Sequence, residues 1–225
     1  SKIEELYLTN NYIYDEGATV LGNALAKNNT LKKLSLYGNQ RITSTGWMAF
    51  SSCCLENANS SLEELNLSEN NIGDDGVAAF AAALVNNTTL EVLDMSYAQS
   101  VSAAGWGTFF NLLMNSNSAL ETLDLSTNHI GDEGVASMVD SLANMSSLKC
   151  LNLRDNQFIT ATGWRTLSNL LRHPNCSLED LDLSYNENDD IINDEVVIAF
   201  ANALAVNFSL QTLQFGSPRA ITPRG

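Results

Sequence analysis

Asp94, Asp124 and Asp182 stand at the same place in three copies of one short motif, and Asn66 and Asn152 stand at that place in two more. Carboxylates and amides in a row accept hydrogen bonds and attract cations. Such a row can recognise Lys or Arg side chains on a protein surface. It can turn to catalysis only with an enclosed carboxylate pair, or with a base beside a nucleophile. The catalytic parts are missing from the pattern. The histidines, His129 and His173, fall in a turn after a strand and near a helix end before Pro174, and the repeat sets no Ser or Cys beside either. Cys53, Cys54, Cys150 and Cys176 share no equivalent position and form no C-x-x-C, so a zinc cluster is not expected. No phosphate loop of the G-x-x-x-x-G-K type occurs. The expectation is a protein that is not an enzyme and has no cofactor or metal.

The elements that must position this row repeat along the whole chain. Leu62–Gly76 reads LEELNLSENNIGDDG, and its L-x-x-L-x-L start recurs from Ile3, Leu31, Leu90, Leu120, Leu148, Leu178 and Leu210. The spacings between successive starts are 28, 31, 28, 30, 28, 30 and 32 residues. A fixed period of this size marks a solenoid with one continuous core. The L-x-x-L-x-L segment alternates apolar and polar residues and predicts a short strand. The Asn that follows, at Asn11, Asn39, Asn70, Asn128, Asn156 and Asn186, can bond backbone groups where the chain leaves the strand. An apolar helical pattern comes next, such as Val77–Leu84, with Asp or Thr before a Gly as its expected N-cap. Strand and helix in alternation force parallel strands. Helices are wider than the strand spacing, so the stack must curve with its strands inside. The predicted architecture is an α/β horseshoe: one array over residues 1–225, with seven complete repeats and part of an eighth.

Two repeat types alternate. One carries I-x-D-x-G before a small residue, at Gly17-Ala18, Gly76-Val77 and Gly134-Val135; the other places Trp after the Gly, at Trp47, Trp106 and Trp164. Large Trp against small neighbours predicts interdigitated packing rather than an aromatic binding ladder. Before Ile192 four residues are inserted, making an acidic loop with Glu187, Asp189 and Asp190, and Val196 replaces the Gly. The loop lacks the ligand spacing of a calcium site and is read as solvated or as a partner contact. Leu210–Gly225 matches the first half of a Trp-type repeat, and no polar cap precedes the first strand, so a piece of a longer array lacking both caps is expected.

Residues between and beside the leucines point to the concave side. The expected binding face holds Asp94, Asp124, Asp182, Asn66 and Asn152 in one column, with Glu64, Asp180, Arg154, Tyr37, Tyr97 and Tyr185 around it. All are read as exposed, so Asp→Ala there would leave folding nearly unchanged. Asp and Asn at such positions also keep an open sheet soluble, and both readings stand. With 26 acidic and 11 basic residues the net charge is −15, which repels nucleic acid and suits a protein partner with a basic surface. No apolar run reaches the 18 or so residues of a membrane span. Free thiols favour the cytoplasm. Eight N-x-S/T sequons, at Asn28, Asn59, Asn66, Asn86, Asn87, Asn144, Asn175 and Asn207, leave a secretory route open, although most fall where turns favour Asn anyway.

The L-x-x-L-x-L-x-x-N pattern, with N-x-I-x-D-x-G and the apolar helix, resembles leucine-rich repeats of the ribonuclease-inhibitor class over the whole chain. Ala98 in place of the Asn, the insertion with Val196, and Phe215-Gly216-Ser217-Pro218 depart from it. The class includes ribonuclease inhibitors, the Ran GTPase-activating protein and the sensor ends of NOD-like receptors. The resemblance implies partner binding through the concave face and adjoining loops. It also permits a GTPase-activator-like regulator or a structural spacer in a large assembly.

Overall fold

A computed structural model describes residues 2–56, 60–114, 117–186 and 193–216. Strands and helices alternate strictly: β1 (Glu5–Tyr7), α1 (Asp15–Leu25), β2 (Lys33–Ser35), α2 (Ser44–Leu55), β3 (Glu64–Asn66), α3 (Gly73–Leu84), β4 (Val92–Asp94), α4 (Ala103–Leu113), β5 (Thr122–Asp124), α5 (Asp132–Leu142), β6 (Cys150–Asn152), α6 (Ala161–Arg172), β7 (Asp180–Leu183), α7 (Asp194–Leu204) and β8 (Thr212–Phe215). The strands form one parallel sheet in sequence order. Leu6, Leu34, Leu65, Leu93, Leu123, Leu151, Leu181 and Leu213 are successive partners, so no register slip occurs anywhere. A slip of one residue would turn every leucine out of the core, which is why the register holds. The helices pack on one another along the opposite layer.

A strand of three residues ends quickly, and its last carbonyls must be satisfied without water. The Asn of each motif does this. Nδ2 of Asn70 donates to the Leu67 and Ser68 carbonyls just past its own strand and to Leu36 of the preceding repeat, at 2.9, 3.2 and 2.9 Å. Asn39, Asn128, Asn156 and Asn186 repeat the pattern, and all five are buried. Where Ala98 interrupts the series, its N–H donates to Oδ1 of the next Asn, Asn128, and the turn is kept. The residue before this Asn, or before Ala98, is left-handed in the first seven repeats: Asn10, Gly38, Glu69, Tyr97, Thr127, Asp155 and Tyr185 have φ between 53° and 71°.

The alternation expected from the sequence is visible in the core. Trp47, Trp106 and Trp164 are fully buried, and so are Ala18, Val77 and Val135 of the other repeat type. Trp47 meets Phe50 edge-to-face at 5.9 Å and Phe80 of the next repeat at 6.1 Å. Val196, in place of the Gly, is also buried.

The helix starts correct one expectation. Thr43, Ser102, Thr160 and Asn193 are N-caps, but the motif aspartates do not cap their own helices. Asp15, Asp74 and Asp132 lie in the first turn and reach across to the next repeat. Asp74 accepts from Ser102 N and Ser102 Oγ, both at 2.7 Å, and Asp15 and Asp132 hold Thr43 and Thr160 in the same way. The carboxylate occupies the space a side chain would need: a Cβ on Gly105 would stand 2.2 Å from Asp74 Oδ1, and Gly46 and Gly163 face Asp15 and Asp132 equally closely. Gly in the Trp-type repeat is therefore the space for its neighbour's aspartate.

Two sequons are also explained. Nδ2 of Asn87 donates to the Leu55 carbonyl and Nδ2 of Asn207 to Leu171, while their Oδ1 atoms accept from backbone N–H groups of the following turn.

Asp74→Ala is expected to cost about 1 kcal/mol as a lost cap. Gly105→Ala is expected to cost a similar amount alone, because its Cβ must push the Asp74 carboxylate off Ser102, and to be close to neutral in the Asp74→Ala background. Guanidinium unfolding of the two single variants and the double variant reads this coupling, and equal costs of Gly105→Ala in both backgrounds would contradict it.

Candidate functional site

The column read from the sequence is a physical row. Ser35, Asn66, Asp94, Asp124, Asn152, Asp182 and Gln214 are successive partners on neighbouring strands. Adjacent members are separated by the interstrand spacing of about 4.8 Å. Asp94 and Asp124 stand side by side at its centre. Asn66 Nδ2 donates to Asp94 Oδ2 at 2.9 Å from one side, and Asn152 Nδ2 to Asp124 Oδ2 at 2.8 Å from the other.

Their exposure differs from expectation. Asp94, Asp124 and Asp182 are half-buried, and each turns one oxygen back to the chain. Oδ1 accepts from the N–H two residues on, at Ser96, Ser126 and Ser184, at 2.8 to 2.9 Å. Asn66 and Asn152 hold Ser68 and Arg154 in the same manner. These side chains close the strand exit as Asx turns, so Asp→Ala there removes a backbone partner as well as a charge. An isosteric Asn keeps that acceptor.

Burial is the main cause that pushes the Asp94 carboxyl above its usual range; Ser96 opposes it, and the neighbouring Asp124 charge adds to it. A raised carboxylate is the signature of a negative charge held partly out of water with a like charge nearby.

The surrounding residues fall into two groups. In the first column of the sheet, Glu64 is paired with Lys33 at 2.6 Å, and Asp180 accepts from Cys150 Sγ at 3.7 Å. Burial raises the Cys150 thiol. At the strand exit, Tyr97 and Tyr185 project from left-handed backbone and remain exposed. An L-residue there costs about 1 kcal/mol or more, so each Tyr occupies a place that Gly38 fills more cheaply. Arg154 lies over the Tyr185 ring at 3.9 Å. The hydrogen bond that the Tyr37 hydroxyl donates to Glu69 raises the Tyr37 phenol. Glu187, Asp189 and Asp190 lie outside the described residues.

One column was missed in the sequence. Glu4, Lys32, Glu63, Glu91, Glu121, Lys149 and Glu179 all follow the lead residue of the motif, one place before the strand. Lys32 pairs with Glu63 at 2.5 Å and Lys149 with Glu121 at 2.8 Å. The signal was the second place of L-x-x-L, charged in seven of eight repeats. Exposed pairs of this kind contribute little stability, so the column bears on surface charge. Among the described residues, no group of three or more His, Cys, Asp or Glu side chains is arranged to hold a metal ion. No described helix is long and apolar enough to cross a membrane.

A leucine-rich repeat family model matches residues 27–51, 58–81, 116–139, 144–168 and 175–187. Ribonuclease inhibitor of Sus scrofa is 32% identical over 190 residues, covering 83% of this chain and 40% of that protein. The Mus musculus ribonuclease inhibitor is 36% identical over 136 residues, covering 60% and 29%. NACHT, LRR and PYD domains-containing protein 14 of Homo sapiens is 29% identical over 199 residues, covering 73% and 18%. The chain thus spans less than half the length of the curated relatives it matches. The leiomodin-1 actin-binding site 2 structure aligns with a TM-score of 0.56 at 17% identity over 72% of this chain and 88% of that one. The yeast Rad7 and Elc1 complex aligns with a TM-score of 0.56 at 18% identity, over 89% and 54%. At those identities the likeness is one of fold.

A raised carboxyl pKa means that the folded chain holds that proton more tightly than the unfolded chain. The Asp94 charge therefore costs stability at neutral pH, and the cost fades as pH falls through its folded pKa toward the ordinary carboxylate value. Asp94→Asn removes this dependence. Relative to the wild type, the variant should lose stability as pH is lowered from about 7 to about 4. Urea midpoints of both proteins across that range check it, and a difference that grows in the variant's favour would count against the buried-charge account.

Proposed function

The chain belongs to the leucine-rich repeat family, in its ribonuclease-inhibitor-like class, and on that premise we propose that it is a protein-binding module whose partner docks on the inner face of the sheet. The observation that carries this reading is the unbroken register that sets Asn66, Asp94, Asp124, Asn152 and Asp182 across five neighbouring strands. Oxygen acceptors outnumber donors along that row, and half-burial strengthens their field relative to fully solvated carboxylates. A net charge of −15 adds long-range attraction for a basic surface. Tyr97 and Tyr185 supply amphipathic anchors beside the row, of the kind that dominates interface energy. Two of the relatives are inhibitors of a ribonuclease by name, which agrees with partner binding as the mode of action.

Binding rather than catalysis is supported by the chemistry of the two histidines. His129 meets Phe158 edge-to-face, and His173 Nδ1 accepts from the Asn175 N–H. We place the module in the cytoplasm: Cys53, Cys54, Cys150 and Cys176 are free thiols. Asn66, Asn87 and Asn207 use their side-chain nitrogens inside the fold, which favours a structural origin for those sequons.

Affinity capture tests the proposal, with the native chain as one bait and an Asp94→Asn, Asp124→Asn, Asp182→Asn chain as the other. Asn preserves the strand-exit acceptors, so charge is the variable. The native bait should retain a partner with a basic surface, in a manner weakened by salt. The variant should lose it by about tenfold or more in affinity, since it gives up close charge pairs. Equal retention on both baits would sink the inner-face proposal.

A further inference from the structure

Two equivalent places at the strand-exit rim recur in each two-repeat unit. One follows the motif Asn of the first repeat, at Tyr12, Asn71 and His129; the other precedes the buried Ile or Val of the second repeat, at Arg41, Ser100 and Phe158. In the first unit the Arg41 guanidinium lies over the Tyr12 ring at 4.5 Å and over Tyr14 at 5.4 Å. The fold thus accommodates a stacked guanidinium at this register.

The third unit has aromatic side chains at both places. His129 and Phe158 meet edge-to-face at 5.1 Å, and Phe158 is 61% exposed. Together with Gln99, Thr127, Asn128, Asp155 and Gln157 they wall a recess of about 160 Å³. Asp155 Oδ1 accepts from Gln157 Nε2 at 2.9 Å, which steadies the carboxylate at the recess wall. Arg154, the basic residue next to it in sequence, is turned instead onto Tyr185 at 3.9 Å.

We propose that this recess takes an arginine side chain of a protein partner, its guanidinium stacked on Phe158 and paired with Asp155. The proposal rests on the protein-binding reading and names a contact within it. The chemistry selects the ligand. Asp155 repels an anion, and a purely apolar group would take its carboxylate out of water without offering a donor in return. A guanidinium is planar, stacks on rings and offers a fork of donors, whereas an ammonium is compact and strongly hydrated.

The test is titration of Nα-acetylarginine amide into the ¹⁵N-labelled chain, followed by NMR. Shifts are expected at Gln99, His129, Asp155 and Phe158. Nα-acetylcitrulline amide, of the same shape without the charge, should bind about fivefold or more weakly. Phe158→Ala and Asp155→Asn should each weaken the arginine shifts by a similar factor while amide shifts away from the rim stay unchanged, since Phe158 is exposed and Asn suits the left-handed backbone of residue 155 as well as Asp does. Absence of shifts at the rim, equal shifts with citrulline, or unaltered shifts in both variants would overturn the proposal. The inner-face reading is separable. If arginine binding fails while the triple Asn bait still loses its partner, only the rim proposal falls. If arginine binds while that bait keeps its partner, the inner face falls and the rim stands.

Discussion

A strand of three residues gains few ladder hydrogen bonds and leaves buried carbonyls at its end. The side-chain amide of the motif Asn removes that cost by donating to its own strand and to the preceding one. Every other feature depends on this bond. It lets the chain leave the sheet within two residues, aligns each repeat on the last, and keeps the leucines in register. The turn it closes places the preceding residue in left-handed backbone, at Thr127 and Tyr185 as much as at Gly38, and Tyr97 keeps that conformation before Ala98. The repetition of that conformation in all seven repeats identifies it as a requirement of the turn.

The second level of order is the pairing of repeats. Trp and small residues alternate because a stack of equal helices cannot place large side chains in every layer at native density. The inter-repeat aspartate adds polarity to this pattern. Asp15, Asp74 and Asp132 cap the following helix, which must then carry Ser or Thr at its cap and Gly one turn later. Two repeats therefore share one polar seam, and each unit is defined by both a packing rule and a capping rule.

The surface inherits its regularity from the interior. The row from Asn66 to Asp182 is straight because the leucines beneath it are in register. Its Asp and Asn side chains also close the strand exits, so replacing one of them removes an Asx-turn acceptor as well as altering the face. Asp supplies that acceptor and carries charge, whereas Asn supplies it without charge. The choice between them sets the field of the face without altering the fold. The rim is freer. Tyr12 with Arg41 and His129 with Phe158 occupy equivalent places with different chemistry.

Much of this was legible in one dimension. Leucine spacing states the strand, its register and the core, because side chains alternate across a strand and the period is fixed. The Asn position states the turn, and the Trp alternation states the two-repeat unit. The shared column of Asp94, Asp124 and Asp182 follows from equal offsets within the motif. Other features arise only when repeats are stacked. The aspartate of I-x-D-x-G reads as a cap for its own helix, yet its oxygens reach Ser and Thr 28 residues away. The carboxylates of the inner face read as exposed, yet neighbouring strands and their own turns half-bury them. The meeting of His129 with Phe158 spans 29 residues and belongs to no motif. A period fixes which residues are equivalent, whereas contacts across the seam depend on the distance between neighbouring repeats, which packing in three dimensions decides.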